Sequence, residues 1–259
     1  MDENINKIVK SISASRKYRN LYHPLVERIC KEEYFKFKNE RDRVKVIKNK
    51  LHLLYGSYIN ETAVQKAEKL IGGDNAAILR LHASTRERLP HLFEFYGFIF
   101  DAAVEAETIL DVGCGFNPFT LPYMPKKIKN YFACDVDAAA SELFNRYFNS
   151  IGLPPSAYCE DIIVATPRER ADIAFCFKLL PVLETQAKGR GLSLLLELNV
   201  KLIAVTFPLK TLCGKNYSFG INYDSYFQKL IGDSAGKLTV ADKKTIGDEL
   251  VYIVKKSEG

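Results

Sequence analysis

The chain has 259 residues, 47% of them apolar and 26% charged, with 16 Phe and 14 Tyr. This excludes a disordered or fibrous polymer and leaves room for one sizeable core plus a smaller appendage. The N-terminus, MDENINKIVKSISAS, lacks a basic stretch followed by an apolar one, and no later segment approaches the roughly 18 apolar residues that span a bilayer. A cytoplasmic protein without a membrane partner is therefore expected. Cys30, Cys114, Cys134, Cys159, Cys176 and Cys213 are scattered, with no C-x-x-C pair, and only 4 His accompany them. Small buried apolar roles are expected for most of them, and no metal.

The charge is unevenly placed. Of 37 basic and 31 acidic residues in the chain, residues 7–50 hold 14 and 5, a local excess of +9 in a protein of net +6. These basic residues alternate with Tyr18, Tyr22, Tyr34, Phe35, Val44 and Ile47 at amphipathic spacing, which predicts short folded helices and not a disordered basic tail. A solvated helix face is one outcome of such a run. The other, favoured by the size of the excess, is contact with nucleic-acid phosphate, each contact releasing counterions. Arg16, Lys17, Arg19, Lys48 and Lys50 are the candidate contacts.

Residues 1 to about 70 read as helical throughout. Gly72-Gly73-Asp74 then punctuates the chain, with Asp74 or Asn75 placed to cap the next helix. From Ala76 the apolar residues Ile78, Leu79, Leu81, Leu89, Leu92, Phe95, Tyr96, Ile99 and Phe100 continue at helical spacing, with a break at Pro90. After Glu107 the rhythm changes to short apolar runs separated by helical stretches: TILDVG, NYFACDVD, SAYCEDI, ADIAFCF, KLIAVTF, LTVAD and ELVYIVK. That alternation predicts an α/β domain built on a mostly parallel, doubly wound sheet, and the last two runs predict an antiparallel closing hairpin. The expected organisation is a helical basic domain over residues 1–72 and a catalytic domain over 73–259, with 73–105 as a linking helical region.

Asp111-Val112-Gly113-Cys114-Gly115 ends the first predicted strand and so lies at the carboxyl edge of the sheet, where such folds bind ligands. Twenty residues after Gly115, Asp135 ends the second strand, placed to accept hydrogen bonds from ribose hydroxyls. A dinucleotide fingerprint would need a third glycine, and the sequence instead runs Phe116-Asn117-Pro118. The D-x-G-x-G pattern with a following acid resembles the class I (Rossmann-like) methyltransferase fold, whose cofactor, S-adenosylmethionine, carries no pyrophosphate. Asp161, at the end of the third strand, is placed to accept from the adenine amino group or, alternatively, to cap the next helix.

Four segments together, LHASTRERL at 81–89, LDVGCGFNPF at 110–119, FKLLPVLE at 177–184 and VTFPLKTLCGK at 205–215, resemble the Arm/Rmt family of 16S rRNA methyltransferases, and the similarity extends to the final IGDELVYIVKK. The resemblance implies methylation of N7 of guanine 1405 in the 30S subunit and resistance to aminoglycosides. It also implies that Arg88 binds the methionine carboxylate, with His82, Ser84 and Thr85 on the same wall. Arg86 competes for that role, and a bidentate guanidinium suits it. The resemblance further implies that Gly113 and Gly115 pass under the cofactor and that Asp111 contacts it. Phe177 packs either on the adenine face or in the core. Lys178, Lys210 and Lys215 stand after the fourth and fifth strands, where they would meet RNA phosphate near the target.

The chain has neither a [DN]-P-P-[YF] tetrapeptide for exocyclic amines nor a Pro-Cys pair for a pyrimidine ring. Guanine N7 presents a lone pair and no proton, so no catalytic base is expected and positioning does the chemistry. A monomer is expected. Removing charge within residues 7–50 is expected to weaken RNA binding and leave cofactor affinity intact. The residues alone leave open a methyltransferase with another RNA or small-molecule target, and a ribosome-binding protein that acts by occupancy.

Overall fold

A computed structural model describes residues 3–52, 61–209 and 222–257 of the chain. The N-terminal region is helical, as the spacing predicts. In α1 (Glu3–Ser13) the residues Ile5, Ile8, Val9 and Ile12 form one buried stripe. Pro24 opens α2 (His23–Tyr34), where its missing N–H costs nothing, and Leu25, Val26, Ile29 and Cys30 face inward. The side chain of Asn39 accepts from the Arg41 N–H to cap α3 (Glu40–Leu51). After α4 (Glu61–Glu68), which packs on a helix of the sheet domain, Asp74 caps α5 (Asn75–Leu79). Then come α6 (Ala83–Arg88), a 3-10 turn at Leu89–His91 around Pro90, and α7 (Leu92–Ala102).

The sheet follows in seven strands: β1 (Thr108–Val112), β2 (Asn130–Asp135), β3 (Ala157–Cys159), β4 (Ala171–Phe177), β5 (Val200–Pro208), β6 (Leu238–Ile246) and β7 (Glu249–Lys256). Their order is β3-β2-β1-β4-β5-β7-β6, with β1 to β5 parallel and β7 antiparallel to both neighbours. The chain leaves β1 towards β2 on one side and later returns to β4 on the other. The crevice at that reversal is where ligands bind in doubly wound sheets. Helices α8 (Ala138–Ser150), α9 (Leu180–Gln186), α10 (Arg190–Glu197) and α11 (Tyr223–Asp233) cover the faces.

Residues alternate between the two faces along each central strand. Ile109, Ile173, Phe175 and Ala204 belong to one core; Leu110, Val112, Ala174, Cys176, Ile203 and Val205 belong to the other. Burial on both sides explains why these strands read as continuous apolar runs. The first core also contains Ile8, Val26, Ile29, Ile47 and Val64, so the N-terminal helices share a continuous apolar interior with one face of the sheet. Cys30, Cys114, Cys134 and Cys176 are buried and Cys159 is half-buried, while Cys213 lies outside the described residues.

Candidate cofactor site

A cleft opens over the carboxyl ends of β1, β2 and β4. Among its walls are His82, Ser84, Thr85, Arg88, Gly113, Gly115, Asp135, Asp161, Phe177 and Lys178. Elements far apart in sequence therefore converge as the motif spacing anticipates. The turn after β1 needs glycine twice. Gly113 has φ +67° and Gly115 φ +51°, and a Cβ on Gly115 would stand 3.0 Å from the His82 ring. His82 lies stacked on Phe116 with ring centroids 5.4 Å apart. Burial, with Arg88 and Lys178 nearby, pushes its pKa down to about 3, so the imidazole is neutral.

Asp135 receives the Gly115 N–H on Oδ2 at 2.8 Å and the Val136 N–H on Oδ1 at 2.7 Å. Burial pushes its carboxyl up and these backbone donors pull it back. The Asp137 N–H is a third backbone donor to this carboxylate, which has about four acceptor positions, so one remains for a ribose hydroxyl. Asp161 is buried, with its Oδ1 accepting from the Ile163 N–H at 3.2 Å.

The opposite end is built around Arg88. Its guanidinium donates from Nε to Glu249 Oε1 at 3.1 Å, and from its terminal nitrogens to Glu249 Oε2 at 2.9 Å and to Asn117 Oδ1 at 3.1 Å. Its Cζ lies 4.4 Å from the centroid of the Phe95 ring and 4.7 Å from that of Phe177, two rings that pack edge to face with each other beside it. Burial opposes both charges of the pair. Glu249 nevertheless lies below the usual carboxylate range because Arg88 and Lys178 face it. Three of the five guanidinium donors are engaged, leaving one on each terminal nitrogen. Arg86 is exposed, whereas Arg88 lines the cleft.

Two expectations need correction. Asp111 is fully buried and takes Asn117 Nδ2 at 2.9 Å and the Tyr131 hydroxyl; it is not among the residues lining the cleft. Burial raises its pKa to about 7 against the pull of those two donors. Its role is to hold the loop from beneath, through Asn117, which itself lines the cleft and also binds Arg88. Lys178 does not point out towards bulk solvent. Its side chain is 9% exposed, with Nζ 2.8 Å from Glu87 and 3.3 Å from Glu249, so its charge is already matched inside the cleft wall. Lys210 and Lys215 lie outside the described residues.

The model of a family described as ribosomal RNA methyltransferase (FmrO) matches residues 14–253. The chain belongs to this family. It is 36% identical over 255 residues to a 16S rRNA (guanine(1405)-N(7))-methyltransferase of Serratia marcescens, covering 98% of this chain and 99% of that one. Among solved structures it resembles the 16S rRNA methylase RmtB, with TM-score 0.86 and 33% identity over 99% of this chain and 100% of the other. It also resembles RmtF, solved with S-adenosyl-L-homocysteine, with TM-score 0.89 and 32% identity over 99% and 100%. The Arm/Rmt resemblance and the class I methyltransferase fold expected from the sequence both hold.

The methyltransferase cleft suits an S-adenosyl nucleoside: open acceptor positions on the acids at one end, two open guanidinium donors at the other, and between them a glycine turn that lets the backbone approach. Phe177 packs against the core, stacked on Phe175 at 4.8 Å, and also lines the cleft, on the side of Arg88. Sequence reading missed Asn117, Glu249, Leu25 and Gln186. Glu249 arrives only because β7 inserts antiparallel, pairing Glu249 with Pro208 at the carboxyl end of β5. Its only signal was an acid at the head of an otherwise apolar run.

In the N-terminal region, Arg16, Lys17 and Arg19, in the turn between α1 and α2, and Lys48 on α3 are exposed. Arg19 pairs with Glu61, and Lys17 Nζ lies 3.0 Å from His52 Nδ1. Lys50 is half-buried and pairs with Glu33, which weakens its case as a phosphate contact. An open groove along α3 brings Arg41, Lys45 and Lys48 together, a set in which only Lys48 was singled out from sequence. Among the described residues, no group of His, Cys, Asp and Glu has the arrangement to hold a metal ion, and no helix is long and apolar enough to cross a membrane.

Proposed function

We propose that this enzyme methylates N7 of guanine 1405 of 16S rRNA within the 30S subunit and thereby confers resistance to 4,6-disubstituted deoxystreptamine aminoglycosides. The observation that carries the reading is that, among the described residues, Asp135, Asp161 and Arg88 line the cleft with groups that can hold a methyl donor, while its imidazole is packed into the wall. That imidazole, His82, is buried, neutral and packed against the glycine turn. A nucleophile that must first lose a proton would be poorly served there, whereas guanine N7 already carries its lone pair. The relatives bearing this activity match along almost their whole length, which supports the same target.

S-adenosylmethionine supplies an electrophilic methyl group on a sulfonium. Asp135 would hold a ribose hydroxyl and Asp161 the adenine amino group. Arg88 would hold the methionine carboxylate, and Gly113 and Gly115 leave space for the chain of the cofactor. Residues 1–72 form the rRNA-binding module, with Arg41, Lys45 and Lys48 on α3 as phosphate contacts and Arg16 and Lys17 beside them. Because the major groove of A-form RNA is deep and narrow, the target guanine has to leave its paired position to meet the cleft. A methyl group and fixed positive charge on the N7 edge would obstruct and repel a polycationic drug that uses that edge.

The test is incubation with radiolabelled S-adenosylmethionine and intact 30S subunits, free 16S rRNA or tRNA, followed by aniline cleavage at N7-methylguanine. Label on 30S subunits with cleavage at guanine 1405 is expected, together with growth on gentamicin when the gene is expressed. Label on another RNA or nucleotide would retain the methyltransferase and refute this target.

A further inference from the structure

The acidic end of the cleft leans on a helix that sequence reasoning reserves for RNA. Leu25 of α2 lines the cleft, and Arg28, one turn later on the same face, reaches the acid behind it. Arg28 donates from Nε to Asp161 Oδ2 at 2.6 Å, and from one terminal nitrogen to Asp161 Oδ1 at 3.3 Å and to Gln186 Oε1 at 3.0 Å. Its other terminal nitrogen holds Glu32 at 2.9 Å. The backbone just before α2 is also attached. Tyr22 N–H donates to Val136 C=O at 2.8 Å, Ala138 N–H donates to Asn20 C=O at 2.8 Å, and Leu21 bridges Asp137. Val136 is the residue whose N–H holds Asp135. Residues 20–28 thus brace both acids of the adenosine end.

We infer that α2 is a wall of the cofactor site and that Arg28 is a positioning residue for Asp161, so that the module facing rRNA also sets cofactor affinity. This rests on the reading that Asp161 meets the adenine amino group. The Arg28 side chain is only 15% exposed, and its charge is matched by Asp161 and Glu32, so it is not available to phosphate. Asp161 has about four acceptor positions, of which Arg28 fills two and the Ile163 N–H a third. One remains, and the guanidinium fork fixes where it points. Without the fork, the carboxylate turns towards water or stays as an uncompensated buried charge. Lysine would restore the charge without the two-point geometry.

The experiment measures S-adenosylhomocysteine binding by calorimetry for the full-length wild type, Arg28→Ala, Arg28→Lys, Asp161→Ala and the Arg28→Ala/Asp161→Ala double variant. In parallel, KM for S-adenosylmethionine and for 30S subunits is determined. Arg28→Ala is expected to weaken binding about tenfold and to raise KM for S-adenosylmethionine by more than it lowers kcat, while 30S binding holds. Arg28→Lys should fall between Arg28→Ala and wild type. The double variant should bind no worse than Asp161→Ala, because Arg28 acts through that carboxylate.

Wild-type affinity in a folded Arg28→Ala, or a loss confined to 30S binding, overturns the inference. If Arg28→Ala does not fold, Arg28→Lys decides, and wild-type affinity there overturns it as well. If Asp161→Ala binds as wild type does, the adenine role of Asp161 fails and takes the inference with it. If Asp161→Ala loses affinity while Arg28→Ala does not, the inference alone fails.

Discussion

The two ends of the cleft hold charge in opposite ways. At the end proposed for the adenosine, Asp135 and Asp161 are braced by donors, several of them backbone N–H groups, and each keeps about one acceptor position open. At the methionine end, Arg88 and Lys178 face Glu249 and Glu87, so that two cations and two carboxylates already cancel. The difference follows from what each end has to meet. A nucleoside offers neutral hydroxyl and amino donors, which a braced carboxylate accepts with little rearrangement. On the proposed reading, the amino-acid moiety would bring its own carboxylate, which would enter this closed network by using the donors that Glu249 and Asn117 leave on Arg88.

The sharpest way to break this comparison is to open the closed end. Arg88→Ala leaves Glu249 buried beside Lys178 alone, and losing one partner of a buried pair typically costs about 3–5 kcal/mol. Thermal unfolding should record that loss, and calorimetry should find no measurable S-adenosylhomocysteine binding. Glu249→Gln keeps an oxygen acceptor and should be milder in both measurements. If Arg88→Ala is as stable as wild type and still binds the cofactor, the methionine end is not organised around this guanidinium.

A second comparison, between α3 and the cleft, is sharpened by removing charge where it is exposed. Among the described residues, Arg41, Lys45 and Lys48 make no ion pair, and they line one groove. Replacing all three with alanine should weaken 30S binding on the order of a hundredfold at moderate salt and flatten the salt dependence by about one unit of slope per lost contact. S-adenosylhomocysteine affinity should not change. Unaltered 30S binding would assign the charge of α3 to solvent.

How much of this was legible in the sequence depended on how local the cause was. The strands, the glycine turn and the acids at the ends of the second and third strands could be read because apolar alternation and 20-residue spacing are local signals. Glu249 could not, because its place depends on β7 pairing with β5 across a long connection. Arg28 was counted as surface charge because periodicity identifies the face of a helix and not the depth to which a flanking side chain is buried; Leu25, Val26, Ile29 and Cys30 mark the stripe that it borders. Asp111 misled in the opposite sense. The motif acid reads as a ligand contact, while its carboxylate lies beneath the loop, bonded to Asn117 and Tyr131.

The smallest expected effect concerns the wall between the two ends. The His82 pKa is pushed down from 6.5 to about 3 by burial and by the neighbouring cations. Below pH 6.5 the unfolded chain takes up a proton at this site that the folded chain refuses, so stability falls as pH falls, over the window from 6.5 towards 3. Asp111 works the other way. Its raised pKa, about 7 against 3.8, makes the folded state the better proton acceptor, so between those values its contribution declines as pH rises. The two terms partly mask each other in the wild type. They separate in a difference measurement, because Asp111 is common to wild type and His82→Gln. Changed packing at residue 82 shifts the difference by a constant, whereas the proton gives it a slope. Denaturant unfolding at pH 7.5 and pH 5 should therefore show wild type losing about 2 kcal/mol relative to His82→Gln. A difference that does not move with pH would mean that the imidazole takes up its proton within the folded cleft, and the neutral wall assigned to it would be lost.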